Sequence, residues 1–154
     1  MGLFSPSYGN YLHIGSWNAQ GSVSKTLVLQ QMGGNVGIGI TNPSYRLHVV
    51  GDIYATANVI AMSDQRVKHD VKPIVGALDR LSGIHGYTYL RDGSDDRQMG
   101  LIAQEVKEAY PEAVHYDNQQ DRYGVNYNAM IAPLLEAIKE LKAKVEELSM
   151  KVAA

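Results

Sequence analysis

The sequence predicts an α+β chain in three parts: a β-rich stalk over residues 1–62, a small α+β domain over 63–130, and a C-terminal coiled-coil helix over 131–154. Three observations predict it. Residues 1–62 hold nine of the fifteen glycines and the single Trp, with few charges. From residue 63 the apolar residues move from alternating to helical spacing. From Ile131 onward they settle into a strict heptad.

In the first part, Val36, Ile38 and Ile40 alternate with Gly37 and Gly39, and Leu47 and Val49 repeat the period of two. That is the pattern of strands with one apolar face. Ile53-Tyr54 and Val59-Ile60 suggest further short strands, and Thr41-Asn42-Pro43-Ser44 is a turn cluster. Runs this short bury little alone. They are expected to pack against copies of themselves, as a fibrous stalk and not a globule.

In the second part, Pro73 reads as the first residue of a helix with Ile74, Leu78 and Leu81 on one face and Gly83 just past its end. Tyr87–Leu90 and Gln98–Leu101 read as two strands joined by the polar loop 91–97. Residues 102–110 read as a short helix stopped by Pro111. A second hairpin turns around Asn118–Asp121 and ends at 125–127.

The third part is the most regular. Ile131, Leu134, Ile138, Leu141, Val145, Leu148 and Val152 are spaced alternately by three and four. β-branched residues fall at a and Leu at d, a pattern that leans toward two strands. Glu140 precedes Lys144 by four and Glu147 precedes Lys151 by four, the favourable orientation for a helix. The alternative is an amphipathic helix packed on its own domain. Pro133 falls near the helix start and marks its first turn or a bend.

Composition excludes several functions. The net charge is −2 and charged residues make up 19%, so no basic footprint calls for nucleic acid. There is no Cys, which removes disulfides and thiolate metal sites. No apolar run approaches a membrane span, and MGLFSPSYGN lacks the regions of a signal peptide. The histidines (His13, His48, His69, His85, His115) are scattered, so neither a metal nor a cofactor is expected. The acidic stretch RDGSDDR lacks calcium-loop spacing and reads as a hairpin tip.

Ser63 and Lys68 stand at the seam between the stalk and the second part. The Ser63 Oγ can reach the Met62 carbonyl carbon through a five-membered ring, shifting the acyl group from N to O, after which water can release the upstream segment. The proximity is built into the chain, but the hydroxyl needs a base. Lys68 can serve only when neutral, a form that burial or a nearby cation favours; Arg66 is a candidate cation. Five residues apart, the two side chains diverge on a regular helix or strand. They meet only if the chain bends or if the lysine comes from another copy. The bland alternative is Ser63 or Asp64 capping a helix, with Lys68 in solvent.

The blocks SDQRVKHDVKPIVGALDRLSGIHGYTYL, QMGLIAQEVKEAYPEAV and YGVNYNAMIAPLLEAIKELK, followed by the coiled tail, resemble the intramolecular chaperone auto-processing domain. This family of self-cleaving serine–lysine peptidases is found at the C-termini of phage tail spikes and tail fibres, with a related module in a eukaryotic membrane-bound transcription factor. NVGIGITNPSYRLHVVGDIYATANV is similar to fibre stalk sequence. The resemblance implies a homotrimer, overriding the two-strand lean of the heptads. It implies that residues 1–62 are the C-terminal part of a trimeric stalk, whose folding residues 63–130 direct as the chaperone domain before releasing themselves. It implies Ser63 as nucleophile, Lys68 as general base and Met62–Ser63 as the cleaved bond, with Asp64 and Arg66 in supporting positions. The block Gly100–Glu105 reads as structural. The implied location is a virion tail fibre or spike, folded in the host cytoplasm, with the chaperone released after cleavage. The implied partners are two further copies and the chain's own upstream stalk, with a host surface glycan for the full-length fibre and neither nucleic acid nor membrane.

Two other readings compete. A trimeric cap that assembles but never cuts needs the heptads and not the dyad. A fibre tip that binds glycans would use Tyr8, Tyr11 and Trp17.

Overall fold

The computed structural model describes residues 29–30 and 32–153. The chain divides into two compact units between Asn58 and Val59.

In the first unit, β1 (Val36–Ile38) pairs in parallel with β2 (Leu47–Val49). Parallel strands ordinarily need a crossover of about a dozen residues. The tighter link 39–46 is closed by side chains: Asn35 Nδ2 donates to the Pro43 carbonyl (2.6 Å) and Arg46 Nη1 to the Gly34 carbonyl (2.7 Å). Gly39 turns the chain at φ 73°. Two three-residue strands are too short to be stable by themselves, and Ile38, Leu47 and Val50 remain exposed.

The strands expected at Ile53-Tyr54 and Val59-Ile60 do not form; residues 51–62 have no regular structure. The side chains of Ile53, Tyr54, Val59, Ile60 and Met62 are all exposed. Alternation gives a segment an apolar face, but a strand also needs a neighbour to accept its backbone hydrogen bonds, and among the described residues no segment pairs with this one.

The second unit is α+β: two antiparallel hairpins, two short helices and one long helix. Its order is α1 (Ala77–Leu81), β3 (Gly86–Leu90), β4 (Arg97–Leu101), α2 (Ala103–Ala109), β5 (Val114–Asp117), β6 (Arg122–Val125) and α3 (Ile131–Ala153). β3 pairs with β4 in the register Thr88↔Met99, and β5 with β6 in the register Tyr116↔Tyr123. Pro111 does stop α2, and it opens a 3-10 turn over Pro111–Ala113.

The first helix starts later than Pro73 suggested. Gly76 adopts φ 65°, a left-handed conformation that other residues rarely adopt, and it separates Pro73 from α1. Gly83 does lie just beyond the end of α1. In α3, Pro133 sits in the first turn, where a missing N–H costs no intrahelical bond.

The core is small. Val106, Tyr110, Ala113 and Met130 are buried together, with Ile74, Leu81, Ile84, Leu101 and Val125 packed around them. The Arg80 guanidinium lies 4.0 Å from the centre of the Tyr110 ring. α1 packs against α3, whose buried positions are Pro133 and Ala137. The heptad residues do not use that face. Ile131, Leu134, Ile138, Leu141, Val145 and Leu148 are each 50–64% exposed. At 3.6 residues per turn their stripe lies about 100° round the helix from the Pro133–Ala137–Glu140 face. The helix thus has two apolar stripes, one closed on its own unit and one open.

Candidate functional site

The chain between Ser63 and Lys68 is neither regular helix nor strand. Residues Gln65–Val67 form a single 3-10 turn, which supplies the bend that the five-residue spacing required. Asp64 caps the turn in an extended conformation, its carboxylate accepting from the Arg66 amide at 2.8 Å. The Val67 amide donates to the Asp64 carbonyl at 3.3 Å and the Lys68 amide to the Gln65 carbonyl at 3.1 Å. Lys68 then returns to extended backbone, and its Nζ reaches the Ser63 Oγ at 2.7 Å.

Asp64 and Arg66 also pair with each other. The Arg66 guanidinium contacts the Asp64 carboxylate at 2.6, 3.0 and 3.1 Å. The Arg66 side chain, with the help of its amide, holds the Asp64 carboxyl below its ordinary range, and Asp64 raises Arg66 in return. The cation proposed from sequence to act on Lys68 therefore has an anionic partner of its own.

The Ser63–Lys68 pair lies on the surface of the single chain. Ser63 and Lys68 are exposed, and Met62, which carries the carbonyl next to Ser63, is 80% exposed. The Lys68 Nζ donates to the Ser63 Oγ. A base needs the reverse: a neutral amine accepting from the hydroxyl.

Three side chains, Glu105, Tyr127 and Glu140, bond across the unit to partners that the sequence pattern does not reveal. Glu105 accepts from the Tyr87 hydroxyl at 2.6 Å and the His85 amide at 2.9 Å, and these bonds lower its carboxyl. The Tyr127 hydroxyl accepts from the Leu101 amide at 2.9 Å. It also fills the space beside Gly100, where a Cβ would collide with it. Glu140, which the i,i+4 spacing assigned to Lys144, instead accepts from the amides of Ala77 (3.0 Å) and Leu78 (2.9 Å), which lower its carboxyl. Lys144 contacts Asp79 at 3.7 Å. The second pair, Glu147 and Lys151, does form.

Among the described residues, no group of three or more His, Cys, Asp or Glu is arranged to hold a metal, and no helix is long and apolar enough to cross a membrane. Tyr8, Tyr11, His13 and Trp17 lie outside the described residues.

Residues 63–115, from Ser63 into β5, match the family Peptidase_S74, described as chaperone of endosialidase. The chain carries a chaperone-of-endosialidase domain. Relatives extend the likeness on both sides of it. Long tail fiber protein Gp37 of Enterobacteria phage K3 is 34% identical over 66% of this chain, and that of Salmonella phage S16 is 39% identical over 56%. Myelin gene regulatory factor-like A of Dictyostelium discoideum is 29% identical over 88% of the chain. The chain spans only 9%, 14% and 16% of these three relatives, respectively.

Proposed function

We propose that the chain is the C-terminal intramolecular chaperone of a phage tail fibre or spike. It assembles three copies, guides the stalk, and then releases itself by autoproteolysis at Met62–Ser63. The tail-fibre relatives support the chaperone role and a place in the virion tail. The observation that carries the cleavage is the 2.7 Å contact between Lys68 Nζ and Ser63 Oγ, one residue downstream of the bond to be cut.

The reaction uses only groups of this chain and water. Neutral Lys68 takes the Ser63 hydroxyl proton as Oγ attacks the Met62 carbonyl carbon. The tetrahedral adduct collapses with loss of the Ser63 nitrogen, which receives that proton from Lys68. The product is an ester between Met62 and Ser63 Oγ and a free Ser63 amine. Water then cleaves the ester, leaving a Met62 carboxylate and restoring the hydroxyl. Lys68 must be neutral at the start, and in the single chain it faces solvent. Burial between subunits removes that solvent, disfavours the ammonium and makes cutting wait for assembly.

The open heptad stripe of α3 supports self-association. Six apolar residues left half exposed or more on one helix face form a surface that solvent does not favour. Tethering a folded trimeric module to each stalk chain turns three-body registration into an intramolecular step. Removing the module afterwards makes the persistence of the stalk kinetic.

A second reading, a trimeric cap that does not cut, draws on the exposure of both dyad side chains. One experiment separates the two. Wild-type protein, fully denatured, runs as two fragments divided at Met62–Ser63, whereas Ser63→Ala and Lys68→Ala run intact. Intact bands for all three select the cap.

A further inference from the structure

The cleavage reading leaves open how assembly through α3 reaches the dyad. α1 has five residues, too short to hold itself, and Gly76 at its N-cap offers no side-chain bond. The missing cap comes from α3. Glu140 places one carboxylate oxygen on the Ala77 amide and the other on the Leu78 amide. On the same side of α3, Ala137 is buried and Lys144 meets Asp79. Upstream of this grip, residues 68–76 have no regular structure. Their fixed points are Ile74, packed against the core, and Gly76 itself.

We infer that Glu140 is a positioning residue for self-cleavage: by gripping the start of α1 from the helix that bears the heptad stripe, it sets where Ser63 and Lys68 lie relative to neighbouring copies. This rests on the cleavage reading above. The local 3-10 turn brings Lys68 to Ser63 within one chain, but it does not bring a neighbour to cover them. The neighbour's place is decided by the seam on α3. The dyad's place relative to that seam is decided by the Glu140 clasp, about 100° round the same helix from it. Loss of the clasp frees the segment 68–76 from α3 without touching any seam residue, so assembly persists while cutting slows.

The test compares wild type with Glu140→Ala, Glu140→Gln and, as a control on the same helix, Glu136→Gln, whose carboxylate pairs with Lys139. Three quantities are measured: assembly mass by light scattering, the thermal midpoint, and the rate of fragment appearance on denaturing gels. Amide exchange at Ala77 and Leu78 is followed in uncut Ser63→Ala protein, with and without Glu140→Ala. The expected result is that Glu140→Ala remains trimeric, exchanges faster at both amides and cleaves at least tenfold more slowly. Glu140→Gln keeps one acceptor and is slowed less, and Glu136→Gln matches wild type. Slower cutting at equal trimer mass and an equal midpoint is not what a general loss of stability produces. Glu140→Ala trimers that cleave within threefold of wild type overturn the inference. If Glu140→Ala fails to assemble, trimeric Glu140→Gln cleaving at the wild-type rate overturns it. A wild-type chain that never cuts overturns the cleavage reading beneath it, and the wild-type lane tells that failure apart from failure of the clasp.

Discussion

Truncating the open stripe of α3 should dissolve the assembly without unfolding the chain. Ile138→Ala combined with Leu141→Ala is the most informative perturbation, because both sit mid-helix and away from the face that meets α1. Full burial of an Ile or Leu side chain is worth about 2 kcal/mol. Ile138 is 64% exposed and Leu141 50%, so half or more of that gain is reserved for association. The double truncation then removes about 2 kcal/mol per chain, or about 6 kcal/mol from a three-chain assembly. That weakens the dissociation constant by about four powers of ten. The assay is sedimentation equilibrium over a dilution series in the Ser63→Ala background, where cleavage does not change the species. Circular dichroism of the dissociated chain reports whether it stays folded. A dissociation constant within tenfold of the parent would refute the assignment of this stripe as the interface.

Other consequences follow from the same contacts. Gly100→Ala pushes a methyl into the Tyr127 hydroxyl and breaks its bond to the Leu101 amide, so thermal melts should show a loss of about 1–3 kcal/mol. Tyr127→Phe in the same chain removes the clash and should make the Gly100→Ala change smaller; equal losses in both backgrounds would contradict the contact. For Glu105, the bonds from Tyr87 and His85 hold the folded carboxyl below its unfolded value. Its contribution to stability is therefore complete above the ordinary carboxylate range and lost as pH falls through the lowered folded value. Denaturant titrations of wild type and Glu105→Gln should differ most near neutral pH and converge in acid; a gap that widens in acid would contradict the sign. Asp64→Ala removes both the cap of the 3-10 turn and the partner of Arg66, and should slow cleavage by freeing the turn that holds Lys68 on Ser63. Unchanged cleavage would show that the turn does not depend on its cap.

What the sequence revealed depended on whether the deciding interaction was local. The β1–β2 alternation, both hairpins and the α3 heptad are periodic patterns, and each could be read directly. The start of α1 is not legible in the sequence because its determinants are not periodic: the left-handed Gly76 and a cap from Glu140, 63 residues away from Ala77. Helical spacing pairs Glu140 with Lys144 because it ranks near neighbours first. Ile53-Tyr54 and Val59-Ile60 have strand character but find no pairing strand among the described residues, since pairing is a property of two segments. The Ser63–Lys68 contact was undecidable from spacing, because five residues fit no regular element. It is set by the single 3-10 turn that Asp64 caps.

Mass spectrometry of the purified wild-type chain under fully denaturing conditions tests the central claim most directly. Self-cleavage after assembly predicts two species, one ending in Met62 and one beginning with Ser63, and a single full-length species for Ser63→Ala. A single full-length species from wild-type trimers would contradict it.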